Sequence, residues 1–300
     1  MAGSSRGGLI YWLTESRNGL GLIFMLPAAV FLLCLLTYPL GLGVWLGFTD
    51  ARIGREGVFV GLDNYVWLFN DSVFRLSVFN TIFYTVVASV LKFGLGLWLA
   101  LILNEKLPLK NFFRAIVLLP WVVPTVLSAL AFWWIFDSQF SIISWVLMKW
   151  GLISAPINFL GEPWNARWSV IAANVWRGIP FVAISLLAGL QTIPQSLNEA
   201  AALDGATAWQ RFRRVTLPLL TPIIAVVMTF SVLFTFTDFQ LIYVLTRGGP
   251  VNATHLMATL SFQRAIPGGQ LGEGAAIAVA MIPFSFFGLQ RRRWQQGGSD

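Results

Sequence analysis

Glu199-Ala200-Ala201-Ala202-Leu203-Asp204-Gly205, then nine residues, then Val215-Thr216-Leu217-Pro218: this polar, helix-forming stretch lies between two long apolar runs. A turn would suffice to connect two spanning segments. Two capped helices in its place imply that something outside the chain binds there. Ser196 and Glu199 have the spacing of a capping box, in which a hydroxyl and a carboxylate satisfy backbone donors at a helix start. Gly205 is placed to end that helix in a left-handed turn. Thr207 and Gln210 form a second box, predicting a second short helix to about Val215. Pro218 then opens the next apolar segment, where a first-turn proline is tolerated.

The composition around this stretch defines its setting. Of 300 residues, 57% are hydrophobic and 11% charged, which indicates a polytopic membrane protein. The net charge of +7 is carried at the ends of apolar runs, which argues for topology and against a nucleic-acid surface. Cys34 is the single cysteine, so no internal disulfide and no metal cluster is implied. His255, the single histidine, falls in a loop and reads as ordinary surface.

Six runs are long and apolar enough to predict spanning helices: 19–48, 77–103, 112–136, 168–190, 217–245 and 272–289. Pro27 and Pro39 would kink or bound the first. Segment 1–18 precedes them, 290–300 follows, and the loop 194–218 joins the fourth to the fifth. With the N-terminus inside, the cytoplasmic segments hold Arg6, Arg17, Lys106, Lys110, Arg114, Arg211, Arg213, Arg214 and Arg291–Arg293. The external segments are longer in total and hold fewer basic residues, so both termini are expected in the cytoplasm. The external stretches 51–74 and 137–167, which carry Trp67, Trp145, Trp150 and Trp164, are expected to form short helices along the membrane surface.

Polar groups inside spans are costly and carry functional hypotheses. Ser231, Thr235 and Asp238 share one face of the fifth span. Asn174, Arg177 and Gly178 do so on the fourth, and Trp121 and Thr125 lie beside Pro120 and Pro124 on the third. The bland alternative is an Arg177–Asp238 ion pair between helices, with Ser231 and Thr235 bonded to their own backbone. Lys92, midway along the second span, reads as reaching an interface or a partner's carboxylate rather than a substrate.

The opening stretch resembles the EAA motif of permease subunits of bacterial ATP-binding-cassette importers: EAA, three residues, Gly, nine residues, then I-x-L-P. Every position matches except Val215 in place of Ile. GLDNY (61–65), LLPWVVPT (118–125), NVWRGIPF (174–181) and DFQLIYVLTRGGP (238–250) resemble the carbohydrate branch, the maltose-permease-like subunits. The resemblance implies an all-α type I importer permease fold in a bacterial inner membrane. It also implies a second permease subunit, two ATPase subunits and an external solute-binding protein. Glu199, Ala200, Ala201, Asp204, Gly205, Arg211, Leu217 and Pro218 would couple to the ATPases. Trp121, Thr125, Asn174, Arg177, Gly178, Ser231, Thr235 and Asp238 would line a mid-membrane sugar cavity, with a sugar ring lying on Trp121 and close approach allowed at Gly178. No lysine follows a glycine, so the chain has no G-x-x-x-x-G-K-[ST] phosphate cradle. ATP and Mg²⁺ would therefore bind a partner, and the chain would be a non-catalytic transport subunit with no cofactor of its own. The cargo is left open among sugars, sugar alcohols and glycerol phosphate. A membrane-embedded enzyme, the remote alternative, would need clustered carboxylates or histidines that the sequence lacks.

Overall fold

The computed structural model describes residues 17–105 and 108–290, with side chains over 18–105 and 108–283. Arg6, Lys106 and Arg291–Arg293, on which part of the orientation reading rests, lie outside the described residues, as do segment 1–16 and the tail 291–300. Helices account for nearly all regular structure, with only two isolated β-bridges among the described residues.

Helices α1 (Arg17–Leu32) and α2 (Tyr38–Leu46) are joined without a break by a π-helical turn over Leu33–Thr37. The wide turn has a local cause. The ring of Pro39 would clash with the carbonyl four residues earlier in a regular α-helix, and widening the preceding turn relieves it. This first apolar segment is exposed along almost its whole length. The stretch that follows it folds back on itself, with Asp50 accepting from the Val58 amide at 2.7 Å and pairing with Arg55. Helix α3 (Asp63–Asn70) is pinned to it. Asn64 donates to the carbonyls of Gly47 (2.9 Å) and Thr49 (2.8 Å), which gives the GLDNY stretch a structural role.

Helix α4 (Ser72–Asn104) is capped by Asp71, whose carboxylate accepts from the amides of Val73 and Phe74. Helix α5 (Lys110–Val122) and helix α6 (Thr125–Ile135) meet at 89°. The predicted continuous span 112–136 is therefore broken. Val123 precedes Pro124 and takes extended geometry (φ −63°, ψ 130°), the conformation that a following proline enforces. Helix α7 (Ile142–Lys149) and α3 are short helices within the stretches 137–167 and 51–74.

Helix α8 (Pro163–Leu190) packs most extensively on α4. Lipid gives no hydrophobic drive for helices to pair, so close van der Waals contact must hold them. Small residues permit that contact: a Cβ at Gly96 would lie 2.7 Å from Val182. Helix α9 (Gln195–Leu203) and α10 (Ala208–Arg211) form the loop 194–218. A second π-helical turn, Phe212–Thr216, joins α10 to α11 (Leu217–Phe236). The second loop helix therefore does not stop before the fifth span but runs into it, with Pro218 again just beyond the widened turn. Near its far end this span is interrupted at 237–239 before α12 (Gln240–Leu245). Helices α13 (Met257–Ala265) and α14 (Leu271–Gln290) complete the order.

Three apolar clusters organise the packing. Ala100, Val182, Leu186, Leu220 and Met228 join α4, α8 and α11 toward the loop 194–218. Ala88, Ile171, Leu241 and Ile242 join α4, α8 and α12. Leu68, Met257, Leu260 and Ile277 tie α3 to α13 and α14. The polar cavity described next is lined from α4, α5, α6, α8, α11 and α12, and the first two clusters hold α4, α8, α11 and α12 together.

Candidate substrate cavity and the loop 194–218

A cavity of about 380 Å³ opens among α4, α5, α6, α8 and the α11–α12 junction. Such a volume is within the range of small-molecule sites, about 300–1,000 Å³. Trp121, Thr125, Asn174, Arg177, Gly178, Thr235 and Asp238 all line it. Ser231 does not; it is buried, and its carbonyl accepts from the Thr235 hydroxyl at 2.6 Å. Lys92, Phe234, Thr237, Phe239 and Gln240 complete the lining.

Asp238 is the hub. Tyr84 donates to its Oδ2 at 2.7 Å and Asn174 Nδ2 to the same oxygen at 2.9 Å, while the Leu241 amide donates to Oδ1 at 3.4 Å. These bonds join α4, α8 and the break between α11 and α12. The break is what turns Asp238 inward and frees the chain to hydrogen-bond with its side chain. Among the described residues Arg177 forms no ion pair, so the anticipated Arg177–Asp238 pair is absent. The guanidinium instead lies 5.5 Å from the Trp121 ring centroid, and its Nε is buried without a hydrogen-bond partner.

Three further residues shape the cavity wall. Lys92 stands in the cavity wall, where its ammonium donates to Thr235 Oγ1. A Cβ at Gly178 would lie 2.3 Å from Lys92 Cδ, so Gly178 makes room for the lysine stem. Trp121 is stacked on Phe181 (ring centroids 5.1 Å, 23°) with Phe234 beside it. It is a braced wall of the cavity.

The loop is built differently at its two ends. Ser196 is not a cap: Pro194 takes the N-cap position with extended geometry, so α9 starts at Gln195. Glu199 accepts from Gln195 Nε2 at 2.8 Å instead of closing a box. Helix α9 ends with Asp204 at the C-cap and Gly205 at φ +83°. The Ala206 amide donates to the Ala201 carbonyl at 3.0 Å, a Schellman-type closure that the left-handed glycine allows. The Thr207–Gln210 box is formed on both sides, at 2.8 and 3.3 Å. Arg211 donates back to the Ala206 carbonyl at 3.1 Å and so holds the turn. Leu203 (91% exposed) and Trp209 (66% exposed) stand out on this surface, and only their apolar character on a polar loop could have singled them out beforehand.

Outside the spans, His255 is buried beside Gly248, its Nδ1 3.2 Å from Thr259 Oγ1. It is therefore not the surface residue its loop position suggests. Burial holds its pKa below the usual imidazole value, against a raising bond to Gln263. Among the described residues no group of three or more His, Cys, Asp or Glu is arranged to hold a metal.

Known proteins share this architecture. The trehalose/maltose transport system permease protein MalF of Thermococcus litoralis is 38% identical over 261 residues, 87% of this chain and 88% of that one. The sulfoquinovosyl glycerol transport system permease protein SmoG of Agrobacterium fabrum is 33% identical over 276 residues, 91% of this chain and 89% of that one. A permease chain in the crystal structure of a bacterial alginate ABC transporter, in complex with an alginate pentasaccharide-bound periplasmic protein, superposes with a TM-score of 0.79. That match is 25% identical and covers 92% of this chain and 93% of the other. A bacterial ABC transporter involved in alginate import gives 0.83 at 24% identity, over 97% and 100% of the two chains, and shows the fold. The family model for the binding-protein-dependent transport system inner membrane component matches residues 92–294, and the chain belongs to that family of ATP-binding-cassette importer permeases.

Proposed function

We propose that this chain is one of two permease subunits in an importer that moves a carbohydrate, delivered by an external solute-binding protein, into the cytoplasm. Sugar-transport relatives over nearly the full chain support the cargo class. The cavity carries the mechanistic reading. Its polar groups come from separate helices that meet inside the apolar body, which is where intramembrane polar residues mark a transport path. Sugar hydroxyls need paired donors and acceptors. Asn174, Thr125, Thr237 and Gln240 supply neutral ones, and Asp238 locks the helices that present them.

In this reading the first segment, α4, the broken α5–α6 unit, α8, α11 with α12, and α14 make six crossings, with both termini in the cytoplasm. The loop 194–218 faces two ATPase subunits that hold ATP and Mg²⁺. Exposed Leu203, Leu197 and Trp209 on α9 and α10 would enter a cleft of that partner, with Ala200 and Ala201 permitting close approach. Glu199, Asp204, Gly205, Arg211, Leu217 and Pro218 shape the docked element. ATP binding draws the paired loops together, the spans rock, and the cavity alternates between the two sides. Alternating access needs an element with two states that both sites bias, and a loop helix continuous with a cavity-lining span fits that need.

The test uses the complete transporter in proteoliposomes with its solute-binding protein. Asn174→Ala should abolish or weaken uptake and sugar-stimulated ATPase activity while the complex stays assembled. Unchanged dependence on sugar concentration would remove the cavity from the pathway. Normal uptake by an assembled Gly205→Leu complex would remove the loop from coupling.

A further inference from the structure

The charged residues lining the cavity are Lys92, Arg177 and Asp238. We infer from the pairing of these three groups that the transported carbohydrate carries an anionic substituent, a carboxylate, sulfonate or phosphate, bound between Lys92 and Arg177. The inference rests on the cavity being the sugar pathway.

Asp238 already accepts from Tyr84, Asn174 and the Leu241 amide, so both its oxygens are occupied by neutral donors. Its charge offsets one of the two cations, and its lone pairs are largely committed. Arg177 presents a planar fork of five donors. Its side chain makes no ion pair among the described residues, and its Nε is buried unbonded. Lys92 is 4% exposed. The Thr235 hydroxyl sends its own proton to the Ser231 carbonyl, so its oxygen must accept from Lys92. That leaves the other ammonium protons of Lys92 for a ligand. The site therefore holds one positive charge in excess, inside an apolar body where an uncompensated charge is expensive. An arriving anion neutralises it, and a fork-on-oxyanion pair is the geometry that arginine favours. A neutral sugar would leave the excess charge uncompensated.

The experiment offers the intact transporter, in proteoliposomes with its solute-binding protein, a mixture. The mixture holds trehalose, maltose, alginate oligosaccharides, glucuronides, sulfoquinovosyl glycerol and glycerol phosphates, and the internalised compounds are identified by mass spectrometry. Wild type should take up anionic members. Arg177→Met and Lys92→Met should each lower that uptake at least about tenfold, the scale of a lost hydrogen bond to a charged group, and Arg177→Lys should restore part of it. The wild-type preference needs no variant and stands even if one fails to assemble. Uptake of neutral sugars alone, unaffected by Arg177→Met or Lys92→Met but lost in Asn174→Ala, overturns the anionic inference and keeps the cavity. Uptake that none of these substitutions alters overturns the cavity reading itself.

Discussion

Replacing Gly178 with alanine tests how the cavity wall is assembled. The added methyl would sit 2.3 Å from Lys92 Cδ, whereas unstrained carbon–carbon contacts are about 3.5–4.0 Å. The lysine stem must therefore retreat by more than about an ångström. Its ammonium would then leave Thr235 Oγ1 and enter the cavity. Overpacking of this kind typically costs about 1–3 kcal/mol, and a buried lysine losing its acceptor adds to it. Gly178→Ala should lower the stability of the complex by an amount in that range, measured by equilibrium unfolding in mixed detergent micelles. In a Lys92→Ala background the clash has no partner, so the same substitution should cost much less, giving a coupling energy of about 1 kcal/mol or more between the two sites. Uptake should fall in the single variant because the displaced side chain occupies the site. Additivity of the two substitutions within about 0.5 kcal/mol would show that Lys92 does not lie across Gly178, and the geometry of the wall would be wrong.

Four other outcomes follow from the same structure. Tyr84→Phe removes one of the two side-chain bonds to Asp238 Oδ2 and should cost about 1.5–3 kcal/mol, the usual range for a bond to a charged group, read in the same unfolding assay. Thr207→Ala opens the capping box and should cost about 1 kcal/mol, with a partial loss of sugar-stimulated ATPase activity. Gly205→Val places a β-branched residue at φ +83°, which costs about 1–3 kcal/mol of backbone strain; uptake should fall while sugar binding to the cavity is kept. His255 contributes a pH dependence. Burial, with Arg264 adding to it, holds its folded pKa below the unfolded value of about 6.5. Below that value the unfolded chain binds the proton first, so this contribution is complete above about pH 6.5 and is lost as pH falls through the folded value. His255→Gln should flatten that part of the stability profile, measured by thermal unfolding from pH 5 to 8.

The sequence made the membrane class, the long helices and the turn at Gly205 readable, because apolar length and glycine chemistry are local signals. Seven of the eight positions that the resemblance assigned to a cavity line one, since residues three and four apart stay on one face. Ser231 is not among them: it is buried one turn before Thr235, whose hydroxyl donates to its carbonyl. Lys92 and Tyr84 were not named with them. Which way α4 turns them depends on how it crosses α8, and that crossing is set by Gly96 against Val182 and by Gly178 against Lys92 itself. The bend in the third segment was legible: Val123 before Pro124 already disfavours helix. Ser196 was misassigned because Pro194, two residues earlier, settles where α9 begins.

The unbroken passage from α10 through the π-helical turn into α11 makes a rod. From Ala208 to Thr235 it is about 40 Å long at 1.5 Å per residue. Each degree of tilt about its Ala208 end therefore carries Thr235 sideways by about 0.7 Å. A swing of only a few degrees is enough to pull the hydroxyl away from Lys92 and shear the wall at Asp238. The widened turn beside Pro218 is a compliant link in that lever arm, so its stiffness helps decide how much of a push at the base arrives as motion at the other end.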